Sequence, residues 1–575
     1  MDSRAQELNA RGDYLFDKRL PILSLWQAIS EQFNPMRADY TWVRSIGMEF
    51  YAHLMTGVPD MANRDLSNAI NAMLRPPGQT WFHARTQNEK VNRDQSAKIW
   101  LDWASELMRQ AMYDNASGWS RAAKEADRDF VCIGNACLYL RPNATFNGLL
   151  YKTLHMRDVA WAEGPDGRIN EVHSKRVVSK RNIVKLFPKT ASDKTKKDVE
   201  DQQDPNGDVQ CRHIVLPSDE YDSMRSSSEI TADGVKKSRR KLPFTSVWID
   251  VDNQIVLEEI GQHQLGYIPP RWDTSSGFGY GYSPATGVNI ADARMLQQIT
   301  LTLLEAGQKA VDPPYKAVGE VIQGGVNLYA GGITWVDAEY DEKTGPAIEP
   351  LLGTNPNLGW GVDREKRIQE IIANGHFLNQ IKLPDASHAR TAYEVQKLWE
   401  EFMRQTTPLF EPLQAEYNGA VCDQTFEMML RLNAFGDMKQ MPKILQGQDI
   451  RFIFDSPLTV AATRANAQAF TQVGQLMQLG VTIDPNIKSD FDVDTAFRDA
   501  VEGSGAPARW LVPKAKADAE KAANRKAQAA QQQMQQQMAT ADQGATVAGK
   551  IGAAATTLQQ GGLMPKQLPQ MGGLT

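Results

Sequence analysis

The sequence predicts an α+β protein organised around one long helix, and three observations predict it. The stretch GFGYGYSPATGVNIADARMLQQITLTLLEAGQKAVDPPYKA, Gly277 to Ala317, reads in its middle as one unbroken helix. Pro284 suits a first turn and Pro313-Pro314 forbids continuation, so its bounds fall near Ala285 and Val311. Second, short runs between Ala136 and Ile260 read as strands cut by Pro142-Asn143 and Gly164-Pro165-Asp166-Gly167. Third, the helix is a rod of roughly 40 Å with apolar residues on several faces. Val288, Ala291, Met295, Ile299, Leu303, Ala306 and Ala310 form one stripe, and Ile290, Leu296, Leu301 and Leu304 occupy other faces. Such a helix is covered on several sides, yet Asp292, Arg294, Glu305 and Lys309 make it too polar for a bilayer. Packing between neighbours in a ring of helices explains both facts.

Taken in order, Leu8 to Leu74 is expected to be helical with breaks at Asn34-Pro35 and Gly57 to Asp60, and Trp26, Phe33, Trp42, Phe50 and Tyr51 are expected core anchors. RPPGQTWF, Arg75 to Phe82, makes a Pro-Gly turn that returns Trp81 and Phe82 to the core. Helices follow at Ser96 to Tyr113 and Trp119 to Cys132. Strands then fall at Ala136 to Arg141, Leu149 to Leu154, Asp158 to Trp161 and Arg168 to His173, before a short helix at Ser179 to Phe187. The Lys- and Asp-rich stretch Pro188 to Gly207 is expected to be an exposed loop. Strand patterns return at Val209 to Leu216 and Phe244 to Ile260. Between them, Lys236, Lys237, Arg239, Arg240 and Lys241 either line a solvated hairpin or touch phosphate; the acidic residues before them and the strand after them favour solvent.

Beyond the long helix, the Gly-rich insertion Pro313 to Gly361 carries short β segments such as Gly332 to Val336 and the apolar residues Val326, Leu328, Tyr329, Ile333 and Trp335. Its strands complete their pairing either across subunits or within one hairpin. A charged helix follows, Val362 to Phe377, with Ile368, Ile371 and Ile372 on its apolar side and a break at Asn374-Gly375. Phe377 to Arg390 is a loop by its Pro384 and Asp385-Ala-Ser pattern. Thr391-x-x-Glu394 is a capping box that starts a long helix, kinked by Pro408 and Pro412. Asp449 to Phe454 is a strand, and Thr459 to Leu479 and Val493 to Val501 are helices. After Pro513 an Ala-, Gln- and Lys-rich tract reads as helix, and Gly544 to Thr575 as disordered.

The order SP, long helix, DPPYKA, Gly-rich insertion, charged helix, loop and TAYEVQKLWEEFMRQTTPLFEPLQAEY, with RPPGQTWF upstream, closely resembles the head-to-tail connector (portal) proteins of short-tailed double-stranded DNA phages. The resemblance spans Ala28 to Asp455. It implies a portal fold closed into a homododecameric ring at one capsid vertex of the virion, assembled in the host cytoplasm, through which the genome is packaged and ejected. In family terms residues 1–284 are an N-terminal wing of mixed α/β structure, 285–311 and 359–376 the stem helices, and 312–358 a β-containing clip. Residues 377–390 are a channel loop, 391–458 the wing helix and return strand, 459–513 a helical crown, and 514–575 a low-complexity helix followed by a disordered tail. Met295, Ile299, Leu303, Ile368 and Ile371 are assigned to stem packing, and Asn379, Gln380, Lys382, His388 and Arg390 to the DNA-channel loop. Lys382 either touches phosphate or faces solvent. Val326, Leu328, Tyr329, Ile333 and Trp335 form the clip's partner surface. Implied partners are further copies of the chain, the terminase large subunit, tail adaptors, major capsid and scaffold proteins, and double-stranded DNA held without sequence specificity; no membrane partner is implied.

Composition fits this reading. The net charge is −6, against a tight, sequence-specific DNA binder and compatible with a conduit wall along which DNA slides. No run of about 18 apolar residues exists, and MDSRAQELNARGDYLFDKRL has no apolar signal core, so neither a membrane span nor secretion is expected. Cys132, Cys137, Cys211 and Cys422 form no CxxC pair and read as buried thiols. Catalytic, metal and cofactor sites are not expected. Gly544, Gly549 and Lys550 fit GxxxxGK, but Ile551 replaces the Mg-binding Ser or Thr and no strand precedes it. Cys211-x-His213 lacks partner ligands. Asp312, Glu320, Asp337, Glu339, Asp341 and Glu342 sit in the Gly-rich insertion with no His or nucleophile beside them. The rival reading, a nucleic-acid enzyme of the packaging machinery, requires a Walker-type loop or clustered carboxylates. A third, a helical assembly factor without a DNA channel, keeps the long helices but needs no axial hole.

Overall fold

Three helices open the chain: α1 (Ser3–Lys18), α2 (Leu20–Phe33) and α3 (Val58–Leu74). Pro21 and Pro59 sit in the first turns of α2 and α3, where a missing N–H costs no hydrogen bond. The computed structural model describes residues 3–92, 94–143, 145–223, 242–320, 322–327, 333–337, 339, 343, 345–350, 358–381, 413–436, 441–454, 469–478, 491–503, 510–512 and 516–535. The chain divides into two units, residues 1–472 and 473–575.

In the first unit, α4 (Gln95–Tyr113) is capped by Asp94, whose carboxylate accepts from the amides of Ser96 and Ala97 at 3.0 Å each. α5 (Trp119–Ile133) ends at Gly134, which has φ +74° and no room for a side chain: a Cβ there would lie 2.3 Å from the Tyr282 carbonyl carbon. These helices surround a core of Leu66, Ile70, Met108, Ala126 and Phe130. Two small sheets close it. One joins β2 (Leu138–Pro142), β3 (Leu149–Thr153) and β9 (Tyr267–Ile268), and the other pairs β1 (Phe82–Thr86) with β14 (Ile450–Phe454) in antiparallel register, Phe82 opposite Phe454. The return strand expected at Asp449 to Phe454 therefore pairs with the strand that starts at the last residue of RPPGQTWF, whose Trp81 and Phe82 are buried as expected.

A five-stranded antiparallel meander runs β4 (Val159–Glu163), β5 (Ile169–Ser179), β6 (Asp208–Pro217), β7 (Phe244–Asp250) and β8 (Ile255–Gln262). Alternation along β6 explains its two covers. Ile214 and Leu216 pack with Ala5 and Leu8 of α1, while Val209 and Cys211 pack with Ile183, Phe187 and Ala191. Ion pairs also tie α1 down: Arg11 lies 2.5 Å from both Glu171 and Glu220, and the Arg212 guanidinium donates to the Asn9 carbonyl at 2.7 Å.

Several expectations are corrected. Pro188 to Gly207 is not a plain loop: Asp193–Glu200 is helical, started by Ser192, whose hydroxyl accepts from the Thr195 amide at 3.0 Å. β5 runs six residues past His173, to Ser179. Residues 38–57 are not helical, and Trp42, Phe50 and Tyr51 are exposed, whereas Trp26 and Phe33 are buried. That backbone is bound by side chains instead, the Tyr40 amide donating to Gln27 Oε1 at 2.8 Å. All four cysteines are buried free thiols, and burial pushes Cys132, Cys137 and Cys211 up to about 12. His213 is no ligand partner of Cys211: its ring nitrogens are engaged by Tyr267 and by Ser246, the latter at 2.8 Å.

Pro408 and the Thr391 capping box lie outside the described residues; beyond them a π-helical turn (Leu413–Asn418) leads into α8 (Gly419–Arg431). The basic run Lys236 to Lys241 also lies outside the described residues. In the second unit α9 (Val493–Gly503) is linked to residues 516–535, helical and exposed along nearly their whole length, by the ion pair Lys521–Asp494. The GxxxxGK tract lies outside the described residues. No helix among them is long and apolar enough to cross a membrane.

Candidate functional site: a helical hairpin, its base and its tip

The long helix is α6 (Pro284–Val311), within one residue of the bounds expected from its prolines. Its start is bolted to the end of α5. The Ser283 hydroxyl accepts from the Thr286 amide at 3.3 Å and donates to the Val131 carbonyl at 2.6 Å, and Thr286 Oγ1 donates to the Cys132 carbonyl at 2.5 Å. Asn135 brackets Gly281, donating to its carbonyl at 2.7 Å and accepting from its amide at 2.8 Å. A Cβ on Gly281 would meet the Gly134 carbonyl oxygen at 2.8 Å, so the GYGYSP turn needs glycine there.

α7 (Leu358–Gly375) returns antiparallel along α6. Ala293 and Leu296 pack with Ile368 and Ile372, and Thr300 donates to Glu365 at 3.0 Å. Near the far end Gly361 gives Leu303 room that a Cβ, 2.4 Å from Leu303 Cδ2, would take. At the near end Asn289 and His376 are buried together. The Asn289 amide donates to the Ile372 carbonyl at 3.0 Å and stands 2.9 Å from His376 Nδ1. Burial lowers the His376 pKa to about 4, so the ring is neutral at pH 7.

The tip is two exposed β ribbons, β10 (Tyr315–Ala317) with β13 (Ile348–Pro350) and β11 (Ile322–Gln323) with β12 (Trp335–Val336). Val326, Ile333 and Trp335 are exposed there; Leu328 and Tyr329 lie outside the described residues. At the base, Phe377 takes φ +57° and the chain turns into a short helix, Leu378–Ile381, where a loop was expected. It holds Asn379, which is exposed and donates to Asn374, and Gln380; Lys382, His388 and Arg390 lie outside the described residues.

A family model described as bacteriophage head to tail connecting protein matches residues 5–512. The chain belongs to this family. A curated relative described as a probable portal protein, from Bordetella phage BPP-1, is 25% identical over 560 residues, covering 96% of each chain. Among solved structures, a chain from the virion of the native gene transfer agent (GTA) particle aligns over 71% of this chain and 95% of its own, at 10% identity and a TM-score of 0.29.

Within this family member, the expected hairpin residues divide in two. Ile368 is buried and Ile299 and Leu303 half-buried, while Met295 and Ile371 are exposed. The face of α6 that packs inside the chain is Asn289, Ala293 and Leu296, not the stripe through Val288, Ala291 and Met295, all three of which are exposed. Sequence reasoning missed Asn289, His376 and Gln297, the last of which receives the amides of Met55 and Thr56. Polar residues inside an apolar helical pattern were the only signal. Among the described residues no group of three or more His, Cys, Asp or Glu is placed to hold a metal ion.

Proposed function

We propose that this chain is a portal protein: a homododecameric ring at one capsid vertex, the conduit for genome packaging and ejection. In this reading α6 and α7 are the stem, standing side by side around the axis, and the β ribbons with Val326, Ile333 and Trp335 form the clip that receives the terminase large subunit and later a tail adaptor. The segment from Asn379 onward leads into a channel loop that presses on DNA through its backbone and so reads no sequence. Scaffold and major capsid proteins meet the wing, residues 1–284 and 391–458, and the crown, 459–513, faces the genome. The mechanism is mechanical, with the phosphoanhydride chemistry left to a separate motor.

One observation carries the reading beyond family membership. α6 is 28 residues long, and among the described residues a flank of it stays uncovered: Val288 is 69% exposed, Leu304 53% and Val311 88%. A rod packed on one side against α7 and bare on the flank of Val288 finds the rest of its cover in neighbouring copies, and a heterologous contact closes into a ring when its rotation divides a full turn. Electron microscopy down the particle axis tests this. The expected image is a ring of about twelve subunits around a hole wide enough for duplex DNA; a closed dimer without a hole would sink the proposal.

A further inference from the structure

We propose that residues 41–56 are one half of a head-to-tail contact between two copies of this chain, and that the other half is the flank of α6 carrying Val288 and Met295. The inference rests on the ring reading above and names the surfaces that close it.

The segment between α2 and α3 forms neither helix nor strand, yet it holds Trp42, Val43, Ile46, Met48, Phe50 and Tyr51 on the surface, Ile46 fully exposed. Together they present on the order of 600 Å² of apolar side chain, at the top of the range for the largest patch on a monomer and most of the roughly 800 Å² each partner gives to a standard interface. The patch is held in place. Arg44 donates to the Pro35 carbonyl at 2.5 Å, and its guanidinium lies 5.3 Å and 5.0 Å from the ring centroids of Trp42 and Phe50. Gln297 of α6 grips the other end, its Oε1 accepting from the Met55 and Thr56 amides at 2.7 and 3.0 Å and its Nε2 donating to the Thr56 carbonyl at 2.9 Å. A surface ordered before contact loses little entropy on binding.

Helical geometry then supplies the partner. At about 100° per residue, Val288 lies nine positions before Gln297 and falls on the opposite side of α6, and Met295 falls close to it. Both are exposed. The chain thus carries two different apolar surfaces on opposite flanks of one helix, which is what a heterologous contact needs and an isologous dimer does not. Charge agrees: Glu49, the one acid in 41–56, is exposed, and Arg364 stands beside Met295, its Nη2 4.0 Å from the sulfur.

The test uses the full chain with Ile46→Cys and Val288→Cys and a flexible bismaleimide, the native thiols being buried. The doubly substituted chain should give a ladder of linked subunits. Each singly substituted chain alone should give no linked dimer, and an equal mixture of the two should give dimers and nothing larger. Ile46→Asp, with circular dichroism as the folding control, should lower the ring population about tenfold or more in mass photometry; if that variant unfolds, the linkage pattern decides. Linkage of the Ile46→Cys chain to itself overturns the proposal. So do rings that survive Ile46→Asp without a 46–288 link, which leave the ring reading standing and turn the patch toward a different protein. A 46–288 ladder from chains that never close into rings keeps the contact and overturns the ring.

Discussion

Asn289 of α6 stands 2.9 Å from Nδ1 of His376, the residue that follows α7, and both side chains are buried. The pair fastens the base of the hairpin just before the chain turns at Phe377, and it makes that base sensitive to acid. Burial holds the His376 pKa near 4 in the folded chain against 6.5 when exposed. Between those values the unfolded state binds the extra proton, so stability falls as pH falls through that window and is unaffected by this group above it. The full loss is about 3 kcal/mol. His213, lowered to about 3 chiefly by burial, acts in the same direction. Thermal melts should show the midpoint dropping from pH 7 to pH 5, and His376→Gln should make that drop shallower; an unchanged slope would mean the ring is not buried as described.

Gly375 closes the same junction. A Cβ there would lie 2.3 Å from both polar atoms of the Asn289 amide, a group already committed to the Ile372 carbonyl. Gly375→Ala should therefore destabilise the chain by about 1–3 kcal/mol although alanine is the better helix former. Adding Asn289→Ala should recover part of the loss, since the two sites are in contact. Urea unfolding of the two single variants and the double measures the coupling, and simple additivity would refute the clash.

The bounds of α6 were legible because prolines mark both ends, and the sheet because Pro and Gly punctuate its strands. The buried face of α6 was not legible. Apolar residues surround that helix, so periodicity could not set its phase, and the side that packs inward holds the polar Asn289 at its centre. Trp42, Phe50 and Tyr51 were read as core because burial of large apolar residues is a tendency that holds in one direction only. The helix Asp193–Glu200 was hidden by its charge; its signal was local, the Ser192 cap and the buried Thr195. Of the candidate site, the two helices of the hairpin and the β-containing insertion between them were legible from helical periodicity and the Pro and Gly breaks. Contacts such as Arg75 with Asp127, 52 positions apart, leave no local trace.

That contact explains the arginine of RPPGQTWF. Arg75 donates to both carboxylate oxygens of Asp127, at 2.8 and 3.3 Å, with both side chains 1% exposed and the Tyr417 ring 4.4 Å from the guanidinium carbon. Burial opposes the charge on Arg75, but Asp127 and Tyr417 together offset it and the pKa is raised. Arg75→Ala leaves the buried Asp127 carboxylate without its counter-charge, held by the Asn71 amide at 3.1 Å, and should cost about 3–5 kcal/mol. Arg75→Met combined with Asp127→Leu should restore much of that, read as the urea midpoint. A double variant no better than Arg75→Ala would show that packing, not the stranded charge, sets the cost.

Gln297 gives the most local prediction. Its amide makes three hydrogen bonds to the backbone of Met55 and Thr56, joining the exposed apolar segment to the middle of α6. Gln297→Ala removes them at a site that water can reach, so global stability should fall by only about 1 kcal/mol. The segment itself should loosen far more. Hydrogen exchange at the Met55 and Thr56 amides should accelerate about tenfold or more while the amides of α3 and α5 keep their protection, because opening there is local. If residues 41–56 meet a neighbouring subunit, the same variant should also raise the protein concentration at which rings form, since the patch must then be ordered on contact. Faster exchange with unchanged assembly would separate the clamp from the interface.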